Sequence, residues 1–136
     1  MDKIRKFETG ATRDLDDTKN HYEGYLSPLV IVAFGNYMTR HRKQADGSLR
    51  APDNWQRGIP LESYVDSMLR HAVAVWLHHR GYGSTANESL DDALAGVFFN
   101  TQGFWHETLK SRLAQTPPTP AEMCCLGDDI EPVGLG

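Results

Sequence analysis

Cysteine is nearly absent from this sequence, and its two copies, Cys124 and Cys125, are adjacent. Adjacent cysteines rarely bridge each other, and without further cysteine or histidine at ligand spacing they make no zinc site. Long apolar runs are absent too: none approaches the roughly 20 residues of a membrane-spanning helix. The polar start, Met1-Asp2-Lys3-Ile4-Arg5-Lys6, leads into no signal-peptide core. We therefore expect a cytoplasmic protein with no membrane partner.

Positive charge is also scarce: the sequence has 14 Lys and Arg and 18 Asp and Glu, which gives a net charge of −4. A sequence-independent nucleic-acid binder needs a basic surface, so we expect no nucleic-acid partner. The sequence contains no Gly-rich phosphate loop, no Gly-x-Ser-x-Gly elbow, no zinc-protease histidine pair and no His followed by Asp. These gaps argue against P-loop enzymes, α/β-hydrolases, zinc proteases and HD-type phosphohydrolases.

Three amphipathic segments are what the 136 residues do contain, and they predict an all-α bundle in one domain. The helices are predicted at 27–43, 61–80 and 88–113, within a domain spanning 1–113. An N-terminal arm, 1–26, is polar, and its segment 8–14 shows neither helical nor strand period, so the arm is either ordered or a flexible terminus. Residues 114–136 are predicted to form a flexible Pro-rich acidic tail. The third helix is predicted to bury Leu90, Leu94, Val97, Phe98, Thr101, Phe104, Trp105, Thr108 and Leu109.

An acidic group opens the third predicted helix. Glu88, Asp91 and Asp92 stand at i, i+3 and i+4, which places their carboxylates on one face. The helix dipole favours acids in a first turn, and Asn87 can cap it, so a plain capping turn explains the pattern. Converging carboxylates are also how proteins hold Mg²⁺ or Mn²⁺. Both interpretations remain open at this stage.

The second helix carries Arg70 and His71 beside its apolar stripe, with Ser67 at i−3 from the arginine. A histidine in this setting is usually a hydrogen-bonded core residue rather than a ligand. An arginine on a protected face needs an anion, which is either the Glu88 group or a substrate phosphate.

The loop 44–60 holds Asn54 and Trp55 among glycines and prolines. The tryptophan is either a plug for the core or a flat surface for a nucleobase, with amide groups nearby. Asn100, among apolar neighbours, either ties helix ends together or contacts a ligand. Arg13, Lys19 and Glu23 in the arm are able to reach over a charged site. The basic group Arg40-His41-Arg42-Lys43 reads as a solvated helix end rather than a phosphate contact.

Four blocks of sequence carry a family resemblance: Glu8-Thr9-Gly10-Ala11-Thr12-Arg13-Asp14, Tyr22-Glu23-Gly24-Tyr25-Leu26-Ser27-Pro28, Asp53-Asn54-Trp55-Gln56-Arg57-Gly58-Ile59-Pro60 and Ser67-x-x-Arg70-His71. In this order they resemble the N-terminal domain of phage and bacterial dATP/dGTP diphosphohydrolases, the MazZ-like branch of the MazG-like nucleotide pyrophosphohydrolases. The resemblance covers residues 7 to about 110. It implies a helical bundle that forms a homo-oligomer, a dimer or tetramer, with its core completed between subunits.

The resemblance also implies an activity, the hydrolysis of a purine deoxynucleoside triphosphate to monophosphate and pyrophosphate with Mg²⁺ or Mn²⁺. In a phage this would modify the nucleotide pool of the host cytoplasm. Glu88-Ser89-Leu90-Asp91 matches the family's second acidic motif, whereas the first, Glu-x-x-Glu, is missing. Glu88, Asp91 and Asp92 are thus the expected metal ligands.

The remaining roles follow from the same expectation. Glu23 or one of the three acids would act as base, and His71 would orient a carboxylate or phosphate. Arg70, Lys19 and Arg13 would bind phosphate, and Asn54, Trp55 and Asn100 would hold the base. The missing motif leaves an alternative, a non-catalytic nucleotide sensor or a phage interaction protein.

Overall fold

The computed structural model describes residues 3–15, 18–115 and 119–121. These residues are mostly helical, which confirms the all-α prediction in its coarse form, with a small two-stranded sheet in addition. Most of the predicted tail lies outside the described residues, and so do both cysteines. Within the described part, no helix is both long enough and apolar enough for a membrane crossing. Contacts divide the chain into an N-terminal unit, which contains Met1–Leu26, and a helical unit, Ser27–Pro117.

The N-terminal unit contains a β-hairpin that the sequence pattern did not indicate. Strands β1 (Lys3–Lys6) and β2 (Thr12–Leu15) pair antiparallel, with Arg5 opposite Arg13. Gly10 closes the turn at φ 85°, a conformation that favours glycine. Both strands are only 4 residues long and mostly polar, so they have no alternating apolar face for sequence analysis to detect. A one-turn helix, α1 (Tyr22–Tyr25), follows.

Helix α2 (Pro28–Arg40) opens the helical unit as its sequence predicts. The Ser27 side chain accepts a hydrogen bond from the Val30 amide at 3.3 Å, and Pro28 occupies the first helical position. The helix ends three residues before the predicted boundary, because His41 already leaves helical geometry. Its buried residue is Tyr37, which is 8% exposed.

A tight hairpin follows α2 and turns the chain back. The amides of Gln44 and Gly47 bond to the carbonyls of Ser48 and Gln44 respectively, and Asp46 accepts from the Ser48 amide at 2.9 Å. The hydrogen bond from the Ser48 hydroxyl, and after it the one from the Ser48 amide, lowers the pKa of Asp46, since both favour the carboxylate form. The chain then makes a short 3₁₀ turn at Asn54–Arg57 before the next helix.

Helices α3 (Leu61–His79) and α4 (Leu90–Gln115) form the main packed pair, and both lie close to their predicted positions. Gly81, at φ 84°, follows the end of α3 in a conformation that favours glycine. Tyr64 of α3 is 1% exposed and is the largest fully buried side chain described. It packs where Gly103 of α4 leaves room, since a Cβ at that position would overlap its ring.

The face of α4 that packs on α3 differs from the predicted one. Small and polar residues are buried there: Ala93, Gly96, Asn100 and Gly103. Several residues predicted to be buried are open in the single chain, including Leu94 at 49%, Phe98 at 40% and Trp105 at 58% exposure. The reason is steric, because the bulky Tyr64 and His71 of α3 need small partners across the interface.

Candidate functional site

Two histidines of α3 contact Glu88, one at its side chain and one at its backbone. His71 Nδ1 lies 2.6 Å from Glu88 Oε1, and His78 Nε2 lies 2.8 Å from the Glu88 carbonyl oxygen. A carboxylate oxygen and a carbonyl oxygen both accept hydrogen bonds, so the ring nitrogens donate. The histidines stand seven residues apart, two helical turns, and therefore on one face of α3. Glu88 is thus fixed through its side chain and its backbone at once.

Helix α4 makes room for this contact at Gly96. A Cβ at that position would lie 2.5 Å from His71 Cγ, so only a residue without a side chain fits against the imidazole. The His71 and Glu88 side chains are each 23% exposed, which leaves the carboxylate reachable from solvent. Together with Arg70, Asn87 and Ala74 they line a cleft of about 560 Å³. The geometry is that of an oriented carboxylate at an opening.

The second carboxylate, Asp92, faces α2 instead. Arg40 Nη2 donates to Asp92 Oδ1 at 2.9 Å. Tyr37 stands beside this pair, and burial raises the pKa of its hydroxyl, with the negative charges of Glu88 and then Asp92 adding to the effect and Arg40 opposing it. Tyr37 is therefore close enough to both carboxylates for their charges to act on its hydroxyl. Asp91 and Asp92 also line a cleft of about 540 Å³ that includes Arg40 and Tyr37.

The three predicted metal ligands do not share a first turn as the spacing suggested. Ser89 caps α4, because its Oγ accepts a hydrogen bond from the Asp92 amide at 3.1 Å and its carbonyl oxygen accepts one from the Ala93 amide. The predicted cap, Asn87, lies two residues before Ser89 and does not cap the helix. Glu88 therefore precedes the helix, while Asp91 and Asp92 belong to it. Among the described residues, no group of three or more His, Cys, Asp or Glu is placed to hold a metal ion.

Arg70 does not reach the acids, contrary to one of the two expectations for it. Its Nη2 donates to Ser67 Oγ at 2.9 Å, and no described carboxylate lies within ion-pair distance of it. It lines the Glu88 cleft, so its predicted contact with a phosphate stays a prediction. Asn100 is 5% exposed, and its amide nitrogen donates to the Gly96 carbonyl at 2.7 Å, within its own helix. Because this hydrogen bond pairs the buried amide nitrogen, no ligand is needed to explain why Asn100 is buried.

Trp55 packs against α4 and also borders a cleft. Its ring meets Phe99 and His106 of α4 edge-on, with centroids 6.2 Å and 4.9 Å apart, as a core plug would. It also lines a cleft of about 550 Å³ together with Asn54 and Tyr37. Its role as a surface for a nucleobase stays a prediction, and Asn100 does not line this cleft.

Arg13, Lys19 and Glu23 belong to the N-terminal unit, on β2, in the following loop and on α1 respectively. Their predicted roles over the acidic site stay predictions.

Sequence reasoning missed Tyr37, Arg40 and His78 as parts of the site. The seven-residue spacing of His71 and His78 was a usable signal for the two-point hold on Glu88. No local pattern pairs Arg40 with Asp92, because 52 residues separate them and only the packing of α2 against α4 brings them together.

In comparisons with known proteins, no family model, curated protein or solved structure matches this chain. The resemblance to the MazZ-like diphosphohydrolases therefore stays a prediction.

Proposed function

We propose that this chain hydrolyses a purine deoxynucleoside triphosphate, such as dGTP or dATP, to the monophosphate and pyrophosphate in a metal-dependent reaction. The observation that carries the proposal is the oriented carboxylate of Glu88, held by His71 at 2.6 Å at the edge of an open cleft. Asp91, Asp92 and Arg40 line the neighbouring cleft, which supplies further charged groups for a polyphosphate.

The roles of the chain's own residues follow from these contacts. A water molecule attacks phosphorus, the bond to the bridging oxygen breaks, and Glu88 accepts the water proton. His71 positions Glu88 by donating to one oxygen, which leaves the other oxygen for the water. Arg40, drawn away from Asp92 by a stronger anion, stabilises negative charge that develops on the leaving pyrophosphate.

The expected metal fits by chemistry, since Mg²⁺ and Mn²⁺ prefer carboxylate oxygens and Glu88, Asp91 and Asp92 provide them. A bound ion would offset the charge of the triphosphate. The arrangement fits less well, because Glu88 is engaged by His71 and Asp92 by Arg40. We therefore assign no step of the reaction to the ion.

A panel of the four deoxynucleoside triphosphates, incubated with and without Mn²⁺ and analysed by ion-exchange chromatography, tests this proposal. We expect monophosphate and pyrophosphate from the purine nucleotides. Glu88→Gln keeps a hydrogen-bond acceptor for His71 but removes the base, so turnover should fall at least about a hundredfold. Asp91→Asn and Asp92→Asn should also abolish turnover while helix content, followed by circular dichroism, stays intact.

The matched control is Glu62→Gln, at an exposed position in the first turn of α3. It should leave turnover unchanged. The absence of both products with every nucleotide would refute the enzymatic proposal.

A second candidate, a nucleotide-binding module without catalysis, is favoured by the missing three-ligand group among the described residues. Such a protein would be stabilised by a purine nucleotide without forming product. At a ligand concentration a hundredfold above Kd, the gain in unfolding free energy would be about 2.7 kcal/mol. Thermal unfolding with dGTP, followed by product analysis of the same sample, separates the two candidates.

The working form we propose is a homo-oligomer of this chain. Along α3, Leu69, Val73 and Trp76 form a stripe that is 60%, 51% and 60% exposed, which we call the α3 stripe. Soluble monomers rarely leave contiguous apolar patches of this kind open to water. A second copy presents the same surface, so a two-fold interface would cover both stripes together.

A further inference from the structure

The cleft beside Trp55 has features that the acidic site does not use. It lies between the end of α2, the hairpin that follows, and α4, and its volume is about 550 Å³, a size typical of small-ligand sites. Its lining includes Tyr37, Thr39, Arg42, Arg50, Trp55 and Phe99. We call it the arginine cleft. It combines aromatic walls with two guanidinium groups, a pairing that suits a ligand both planar and anionic.

The two arginines are held in place by the main chain. Arg42 Nε donates to the Arg50 carbonyl at 2.9 Å, and Arg50 Nη1 donates to the His41 carbonyl at 3.0 Å. The Arg50 amide also donates to the Arg42 carbonyl at 2.8 Å, which closes the hairpin between them. A guanidinium has five N–H donors, so each keeps several for a ligand after these bonds. Their orientation is set before any ligand arrives, which lowers the entropy cost of binding.

The positive charge of the arginine cleft is not neutralised by the described residues. No described carboxylate lies within ion-pair distance of Arg42 or Arg50. The one acid in the hairpin, Asp46, is engaged by the Ser48 amide and hydroxyl. Preorganised arginines without an acidic partner are suited to bind phosphate oxygens.

The rest of the lining suits a base. Trp55 and Phe99 provide aromatic surface, and the Asn54 amide offers both a donor and an acceptor to a ring edge. His41 donates through Nδ1 to the Tyr37 carbonyl oxygen at 2.8 Å, which fixes the orientation of the imidazole at the edge of the cleft.

We propose that the arginine cleft binds a purine nucleotide, with Arg42 and Arg50 on a phosphate and the base against Trp55. The ligand class rests on the proposed function, whereas the site does not require hydrolysis. Tyr37 lines both this cleft and the one that contains Asp91 and Asp92. A nucleotide held here would therefore lie one side chain away from the carboxylates.

Calorimetric titration of the whole chain with dGMP, and with dGTP in EDTA to prevent turnover, tests the proposal. Loss of a hydrogen-bonded phosphate contact should raise Kd about ten- to hundredfold in Arg42→Gln and in Arg50→Gln. Arg80→Gln, at an exposed arginine that does not line the arginine cleft, is the matched control and should bind as the wild type does. Unchanged affinity in both cleft variants, or no binding by the wild type, would overturn the proposal.

Both arginines also brace the hairpin, so a further variant keeps them intact. Thr39→Glu adds a carboxylate to the lining at an exposed position on α2, which should weaken nucleotide binding without removing a brace. Trp55→Leu should weaken dGMP but not inorganic pyrophosphate, because only the nucleotide has a base. Unfolding followed by circular dichroism checks that each variant is folded. Unchanged dGMP affinity in Thr39→Glu would count against the site.

The outcomes for the two proposals are separable. Nucleotide binding that depends on Arg42 and Arg50, with no product from any triphosphate, would uphold the site and refute the hydrolase. Turnover with an unchanged KM in Arg42→Gln and Arg50→Gln would uphold the hydrolase and refute the site.

Discussion

Tyr37 is the residue that the two proposed sites share. It lines both the arginine cleft and the cleft of Asp91 and Asp92. Burial and the two nearby carboxylates raise the pKa of its hydroxyl, because the phenolate would be both poorly solvated and repelled. The hydroxyl therefore stays protonated well into alkaline solution in the folded protein.

This raised pKa predicts a loss of stability at alkaline pH. Below the ordinary value of 10.0, the hydroxyl is protonated in both folded and unfolded chains. Above it, the unfolded chain loses the proton first, binds fewer protons than the folded chain, and the free energy of unfolding falls as pH rises. Tyr37→Phe should make this fall shallower in urea unfolding series at increasing pH. Tyr82→Phe, at a residue 61% exposed, is the control and should match the wild type. Equal slopes for wild type and Tyr37→Phe would contradict the assignment.

Sequence reasoning at this scale identified groups better than it identified partners. It predicted that His71 would orient a carboxylate or a phosphate, and the structure places His71 Nδ1 2.6 Å from Glu88 Oε1. It expected Asn87 to cap the helix, but Ser89 does so, which moves Glu88 out of the first turn. Cap choice depends on backbone geometry over one or two residues, and Asn and Ser are nearly equal as caps.

At the scale of elements, the pairing of α3 with α4 depends on glycine. Gly96 and Gly103 stand seven residues apart on α4 and receive His71 and Tyr64 of α3. Glycine has a lower helix propensity than alanine, so these two residues weaken α4 as a helix. They also allow α3 to pack closely against it. Gly35 of α2 is different, since a Cβ there would meet nothing within 4 Å.

Alanine substitutions at the helical glycines should therefore act in opposite directions. Gly103→Ala forces Tyr64 to move, and we expect a net loss of about 1–3 kcal/mol in unfolding free energy. Gly35→Ala should stabilise the protein by about 0.5–1 kcal/mol, since it gains helix propensity without a clash. Urea denaturation at one fixed protein concentration measures both. A stabilised Gly103→Ala would show that the two helices do not pack at this point.

The existence and approximate bounds of the three long helices were predictable from their amphipathic periodicity. The buried face of α4 was not predictable, because an apolar stripe indicates which side chains avoid water but does not indicate which helix or subunit packs on them. Ala93 and Gly96 pack on α3, whereas the larger Leu94 and Phe98 are left half open.

At the scale of the whole molecule, the most prominent feature is how much apolar side chain one copy leaves uncovered. Besides the α3 stripe, Leu29 and Val32 of α2 are 82% and 64% exposed. Sequence alone predicted these residues to be apolar helix faces, and it expected the core to be completed between copies. Assembly stays a prediction, and these open faces are the surfaces that the proposed contact would cover.

Disrupting the α3 stripe should dissociate the proposed oligomer. Trp76→Glu places a charge where the interface would exclude water, and a central tryptophan typically contributes at least about 2 kcal/mol, or roughly thirtyfold in Kd. Sedimentation velocity at micromolar concentration should show a dimer or tetramer for the wild type and smaller species for the variant. Leu49→Glu, in the hairpin and also exposed, is the control and should sediment as the wild type does. A monomeric wild type would refute the assembly.

The fit of His71 against Gly96 also limits how this protein can diverge over evolutionary time. A lineage that acquires any larger residue at position 96 loses the space for the imidazole, and with it the contact that holds Glu88. A smaller residue at 71 would in turn relax the requirement for glycine. Among descendants of this sequence, positions 71 and 96 should therefore change as a pair or remain as they are.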